Sequence, residues 1–125
     1  MQYLCDTCVL IDYLKGKEVV RNKLIGDWNA GLGMSSVTYM ELMVGAFNKQ
    51  EAQKIRKAFR DIELIEITEG ISIKARNLVD QYSKSHGLML PDALIAATAI
   101  ELDVPLYTEN VSDFRFITGI TLVQN

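Results

Sequence analysis

"LMLPDALIAATAIELDVPLYTEN", residues 88–110, decides the fold. Its first half is an almost wholly apolar helix opened by Pro91 and Asp92, and "PLYT" after it is a short strand. A helix apolar on every side is buried. Helix feeding strand in so few residues marks an α/β chain. Asp92 in its first turn raises a chemical question, because a buried charge is costly unless something positive meets it.

The same alternation runs outward in both directions. "YLCD" reads as a buried strand, and "TCVLIDYLKG" as a helix stopped by Gly16. "KEVVRNKLIGDWNAG" is an amphipathic helix with Val20, Leu24 and Trp28 on one stripe and Gly31 as its stop. "LGMSS" is a strand, "VTYMELMVGAF" a helix, and "KQEAQKIRKAFRDI" a polar helix with Ala52, Ile55 and Phe59 along one side. "ELIEI" alternates as a strand does. "EGISIKARNLVDQYSKSHG" sets Ile71, Ala75, Leu78, Val79 and Tyr82 at helical spacing before Gly87. "ITLV" is a last short strand. Strands alternating with helices predict a mainly parallel sheet covered on both faces.

The chain's 125 residues fit one domain, spanning 1–125. With 49% hydrophobic and 23% charged residues, it can bury a core without disulfides. No run reaches the roughly 18 apolar residues of a membrane span. The N-terminus lacks a basic leader, so a cytoplasmic protein is expected. Cys5 and Cys8 form a C-x-x-C, but the single histidine, His86, leaves a zinc site without partners. Both cysteines read as small buried hydrophobes beside Asp6. His86, at a helix end, is placed to interact with the helix dipole. The net charge of −3 is the wrong sign for a broad nucleic-acid-binding surface, so such a role needs a local basic rim or metal ions. Lys15, Lys49, Arg56, Lys57, Arg60 and Arg115 could form a rim, though each also reads as a solvated face.

In parallel sheets, ligands bind beyond the carboxyl ends of the strands. Asp6 ends the first strand, Thr108 ends "PLYT", Asp113 lies in the following loop, and Glu41 lies early in a helix after the second strand. With Asp92, four carboxylates can converge on one rim. Without histidine or thiolate among them, they suit a hard cation, Mg²⁺ or Mn²⁺. Each acid also has an ordinary structural explanation. Asp92 follows a proline at a helix start, and "TYME" fits a capping box with Thr38 as cap and Glu41 at its far end. Asp6 could begin a turn, and Asp113 could cap the helical piece near "DFRF".

"CDTCVLIDYL", "SSVTYMELMVGA" and "LPDALIAATAIELDVPLYTENVSDF", in that order, resemble a PIN-domain ribonuclease, and more narrowly the VapC toxins of toxin–antitoxin pairs. The resemblance spans essentially the whole chain. It implies a three-layer α/β/α sandwich around a parallel sheet of about five strands. It also implies Mg²⁺- or Mn²⁺-dependent endonucleolytic cleavage of RNA by a metal-activated water, with 5′-phosphate and 3′-hydroxyl products. The family acids map onto Asp6, Glu41 and Asp92, with Thr7 and Thr108 at the supporting hydroxyl positions. For the fourth acid, "TENVSDF" offers Asp113, with Asn110 as a neutral ligand or neighbour. Asp6, Asp92 and Asp113 are then the metal ligands, and Glu41 is a ligand or the base that orients water. The resemblance further implies a homodimer and a cognate antitoxin that blocks the site. The face carrying Tyr39, Met40, Met43 and Phe47 could contribute to the antitoxin groove, or equally to core or dimer contacts. Two alternatives stay open: a PIN-like binding module with weakened catalysis, and a small Mg²⁺-dependent phosphotransfer domain with Asp6 as nucleophile.

Overall fold

A computed structural model describes residues 1–123. The strands are β1 (Tyr3–Cys5), β2 (Leu32–Ser35), β3 (Glu63–Ile65) and β4 (Leu106–Tyr107). The helices are α1 (Thr7–Leu14), α2 (Glu18–Asp27), α3 (Ser36–Gly45), α4 (Lys49–Ala58), α5 (Glu69–His86) and α6 (Leu90–Leu102). All strand pairs are parallel, and their order is β3-β2-β1-β4. The chain steps outward from β1 through β2 to β3, then returns to add β4 on the other side of β1. The strand order therefore reverses beside β1, which puts a crevice beyond the carboxyl ends of β1 and β4.

Among the described residues, four strands stand where about five were expected. "ITLV" contributes a single parallel bridge, Leu122 beside Leu106. Leu106 donates its N–H to the Thr121 carbonyl, and Val123 donates to that of Leu106. Pro105 has no N–H to extend this ladder, and after Tyr107 the chain turns toward the crevice. The pairing partner is too short to support a fifth strand.

The layers follow from side-chain alternation. Along β1, Leu4 packs with Ile71, Leu78, Ile95 and Phe114 on the face covered by α5 and α6. Tyr3 and Cys5 point the other way, into a second core with Val9, Leu24 and Ile55 from α1, α2 and α4 and with Phe59, the C-cap of α4. Helix α3 feeds both, through Val37 and Leu42. Its central strands β1 and β2 are buried at every residue, whereas β3 is an edge strand with Leu64 43% exposed.

Helix α6 is as enclosed as its composition requires, with Ala93, Ile95, Ala96, Ala97 and Ala99 buried. Its alanines let α5 approach closely. Buried Thr98 satisfies its hydroxyl on the Leu94 carbonyl at 2.7 Å. Gly87 ends α5 at φ +68, as expected. Asp103 ends α6 in the same left-handed region, which aspartate tolerates better than most side chains. Helix α2 stops at Asp27, and Trp28–Ala30 tighten into a 3-10 turn before Gly31. No helix among the described residues is long and apolar enough to cross a membrane.

Candidate active site

The crevice begins at Asp6, which follows β1 and is 5% exposed. Parallel register pairs Cys5 with Tyr107, so Asp6 and Thr108 leave the sheet side by side. Thr108 donates its hydroxyl to Asp6 Oδ2 at 2.8 Å, and Asp6 Oδ1 accepts the Thr7 amide at 2.8 Å. The Asn110 amide donates to Thr108 Oγ1 at 3.0 Å, which fixes the hydroxyl from behind. Asp6 is also the N-cap of α1. Its structural and candidate chemical roles thus use one conformation.

The capping-box reading of Glu41 fails. Ser35 caps α3, its Oγ accepting the Val37 amide at 3.1 Å, because β2 ends there and leaves that amide free. Thr38 is a fully buried helix residue, and the Glu41 carboxylate lies against Thr7 at the start of α1. Thr7 Oγ1 lies 2.6 Å from Glu41 Oε1 and 3.1 Å from Thr38 Oγ1. One hydroxyl carries one proton, so the shorter bond to the carboxylate takes it and Thr38 supplies the other.

Asp92 lies in the first turn of α6, where Leu90 is the first residue and Pro91 the second. Burial first, then repulsion from Asp6, Asp113 and Glu41, push its carboxyl up to about 6. That repulsion places all four acids, from four segments, in one electrostatic neighbourhood. Asp113 is exposed and ends a 3-10 turn, Val111–Asp113, whose N-cap is Asn110. Its expected capping role is therefore not what this turn uses. Asn110 enters through its backbone, while Asp113 enters through its charge. Neighbouring Glu109 is drawn elsewhere, into an ion pair with Lys17 at 2.5 Å.

Two participants were not legible. The Cys8 thiol lies 3.4 Å from Asp6 Oδ2 and 3.7 Å from Thr108 Oγ1. Burial and the adjacent Asp6 push that thiol up to about 11, so it stays protonated and able to donate. Thr38 is the other. The only signal for Cys8 was its place two residues after the capping acid. Cys5 is buried in the second core as expected, and both thiols are free.

The donor set fits a hard divalent cation. It is built of carboxylate and hydroxyl oxygens, and none of the ion pairs among the described residues involves Asp6, Glu41, Asp92 or Asp113. Among the described residues no ion pair offsets the like charges that raise Asp92. Among the described residues no three such groups are already closed into a ligating arrangement. The acids share a field without forming a finished cage.

The PIN domain family model matches residues 3–115. The chain is 34% identical over 113 residues to ribonuclease VapC10 of Mycobacterium tuberculosis, covering 89% of this chain and 84% of that one. A solved toxin–antitoxin complex from Klebsiella pneumoniae matches at 34% identity and TM-score 0.79, over 95% of each chain. VapBC-1 from nontypeable Haemophilus influenzae matches at 26% identity and TM-score 0.82, over 99% and 98% of the two chains.

Proposed function

The chain belongs to the PIN-domain family, and on that premise we propose that it is an endoribonuclease, the toxin of a toxin–antitoxin pair. Residues 1–125 act as one PIN-like nuclease domain in the cytoplasm. The ribonuclease relative and the toxin–antitoxin neighbour support the activity and the partner class. One observation carries the assignment of the site: Asp92 feels Asp6, Asp113 and Glu41 at once.

Asp6, Asp92 and Asp113 would hold Mg²⁺ or Mn²⁺. Bound there, the ion supplies a Lewis acid for the phosphoryl oxygens and makes hydroxide accessible near neutral pH. Thr108 and the Thr7 amide fix the Asp6 carboxylate, so its orientation need not be found during each turnover. Thr7 holds Oε1 of Glu41 and leaves Oε2 to orient the attacking water and accept its proton. Asn110 keeps Thr108 in place.

The protein partner is an antitoxin. Beside Glu41, Met40 and Val44 on α3 and Phe47 just beyond its end are 52%, 87% and 88% exposed, an apolar stripe suited to a partner segment. A cavity of about 600 Å³ between α1, α3 and α4 has Glu41 in its lining, so a segment seated there reaches the acids. Tyr39 and Met43, in contrast, pack against the second core. A homodimer is the assembly we assign.

Purified chain incubated with RNA and Mg²⁺ should cut internally, leaving 5′-phosphate and 3′-hydroxyl ends. Asp6→Asn and Asp92→Asn should each abolish cutting, as should a chelator. Undiminished cleavage by either variant would remove the catalytic assignment.

A further inference from the structure

Helix α5 ends at the same edge of the molecule where α6 begins, since only residues 87–89 join them. At that end, exposed His86 stacks on Phe116 with centroids 4.4 Å apart and planes 9° apart. Its orientation is fixed on further sides. Tyr82 sets its ring edge against His86 at 5.6 Å and against Phe116 at 5.2 Å. The Tyr82 hydroxyl is itself pinned, donating to Thr118 Oγ1 at 3.2 Å and accepting the Thr118 amide at 3.1 Å. His86 Nδ1 lies 2.8 Å from Ser85 Oγ.

This stack lies close to Asp113 along the chain. Phe116 is three residues beyond Asp113, so their backbones are within about 11 Å of each other. Asp113 in turn acts on Asp92. Lys84 and Arg115, both exposed, flank the two rings in sequence. The Tyr82–Thr118 bonds already tie the C-terminal loop to α5, and partly buried Phe116 packs on the core, so anchoring that loop does not require the exposed His86 ring.

We propose that His86, held flat on Phe116, is a nucleobase platform that seats single-stranded RNA beside the carboxylates. This rests on the ribonuclease reading and adds to it the way the substrate is held. Unpaired bases stack on aromatic rings whatever their identity, while nearby cations meet the phosphates. A ring already locked in place loses little freedom when a base lands on it. His86 and Phe116 are thus substrate-positioning residues, and RNA whose bases are all paired should be a poor ligand.

The test uses the full chain carrying Asp92→Asn, which binds without cutting, titrated with short single-stranded RNA containing 2-aminopurine in the presence of Mg²⁺. Binding with quenched fluorescence is expected. Adding His86→Ala should weaken binding roughly 5- to 150-fold, the range of a lost base–aromatic stack. His86→Phe should restore it, with melting temperature and sedimentation unchanged across the three. Equal affinities in all three would overturn the proposal. So would a loss in His86→Ala that tracks lower stability or altered self-association and is not rescued by His86→Phe. That result would make the stack a structural contact or an interface between copies. Cleavage by the chain with native Asp92, measured in parallel, separates the two claims. His86-dependent binding without cleavage would sink the nuclease reading and leave the platform. RNA bound by no variant would sink both.

Discussion

Thr108 and Asp6 lie 102 residues apart and meet at 2.8 Å, hydroxyl to carboxylate, across the boundary between β4 and β1. The bond is buried, so water cannot replace it if one partner is removed. Thr108→Val keeps the shape and removes the donor. Partners that orient metal ligands are commonly worth 10- to 100-fold in affinity or activity. RNA cleavage should fall by about that factor while far-UV circular dichroism stays native. Thr108→Ser should recover most of it. Unchanged activity in Thr108→Val would mean that Asp6 needs no such restraint.

Asp92 makes stability depend on pH in a direction unusual for a carboxylate. Its pKa rises from 3.8 to about 6 on folding, through burial first and the neighbouring acids second. Between those values the folded chain holds a proton that the unfolded chain has released. Stability therefore falls as pH rises through that window, and the cost is fully present above pH 6. Solvent screening of this half-buried group trims the cost to about 1–2 kcal/mol. Without divalent ions, Asp92→Asn should melt several degrees higher than wild type at pH 7, with the gap closing by pH 4. The same variant should be inactive. A lower melting temperature at pH 7 would contradict the repulsion.

Divalent ions should stabilise the chain through those same acids. At Mg²⁺ or Mn²⁺ tenfold above its dissociation constant, the gain is about 1.4 kcal/mol. Thermal melts should shift upward on adding the ion and return on adding a chelator. Asp6→Asn and Asp92→Asn should lose most of the shift. Equal shifts in wild type and both variants would place the ion elsewhere.

Cys8 should behave as a hydrogen-bond donor to Asp6. Cys8→Ser preserves a donor and should retain activity to within about threefold, while Cys8→Val removes it and should lose about tenfold. A thiol held near 11 by burial and Asp6 should react slowly with alkylating reagents at pH 7.5. Rapid native-state alkylation, or a Cys5–Cys8 disulfide by mass spectrometry, would contradict this environment.

The helices were legible where one face is buried against one neighbour. Ile71, Ala75, Leu78 and Tyr82 on α5, Ile55 on α4 and Phe59 at its C-cap are buried as their spacing requires. Gly16, Gly31 and Gly87 all lie at positive φ where stops were expected. Failures came where two elements compete for the same few residues. Ser35 claimed the α3 cap that T-x-x-E seemed to give Thr38, because the end of β2 set where the helix begins. The expected strand at "ITLV" shrank to one bridge because its partner had two residues to offer. Likewise the dipole reading of His86 missed Phe116, thirty positions downstream.

By itself the sequence determined an α/β chain with a parallel sheet and one apolar helix opened by an acid, since periodicity and turn residues are local properties. Its order of motifs also pointed to the family and to Asp6, Glu41, Asp92 and Asp113. Only the tertiary structure decided how these acids are held: Asp6 by Thr108 and Cys8, Glu41 by Thr7, and Asp92 by burial among like charges. The reason is that strand order, which puts β4 beside β1, sets which distant side chains become neighbours. Hydrogen bonds and charge repulsion then act on distances through space that no spacing along the chain encodes.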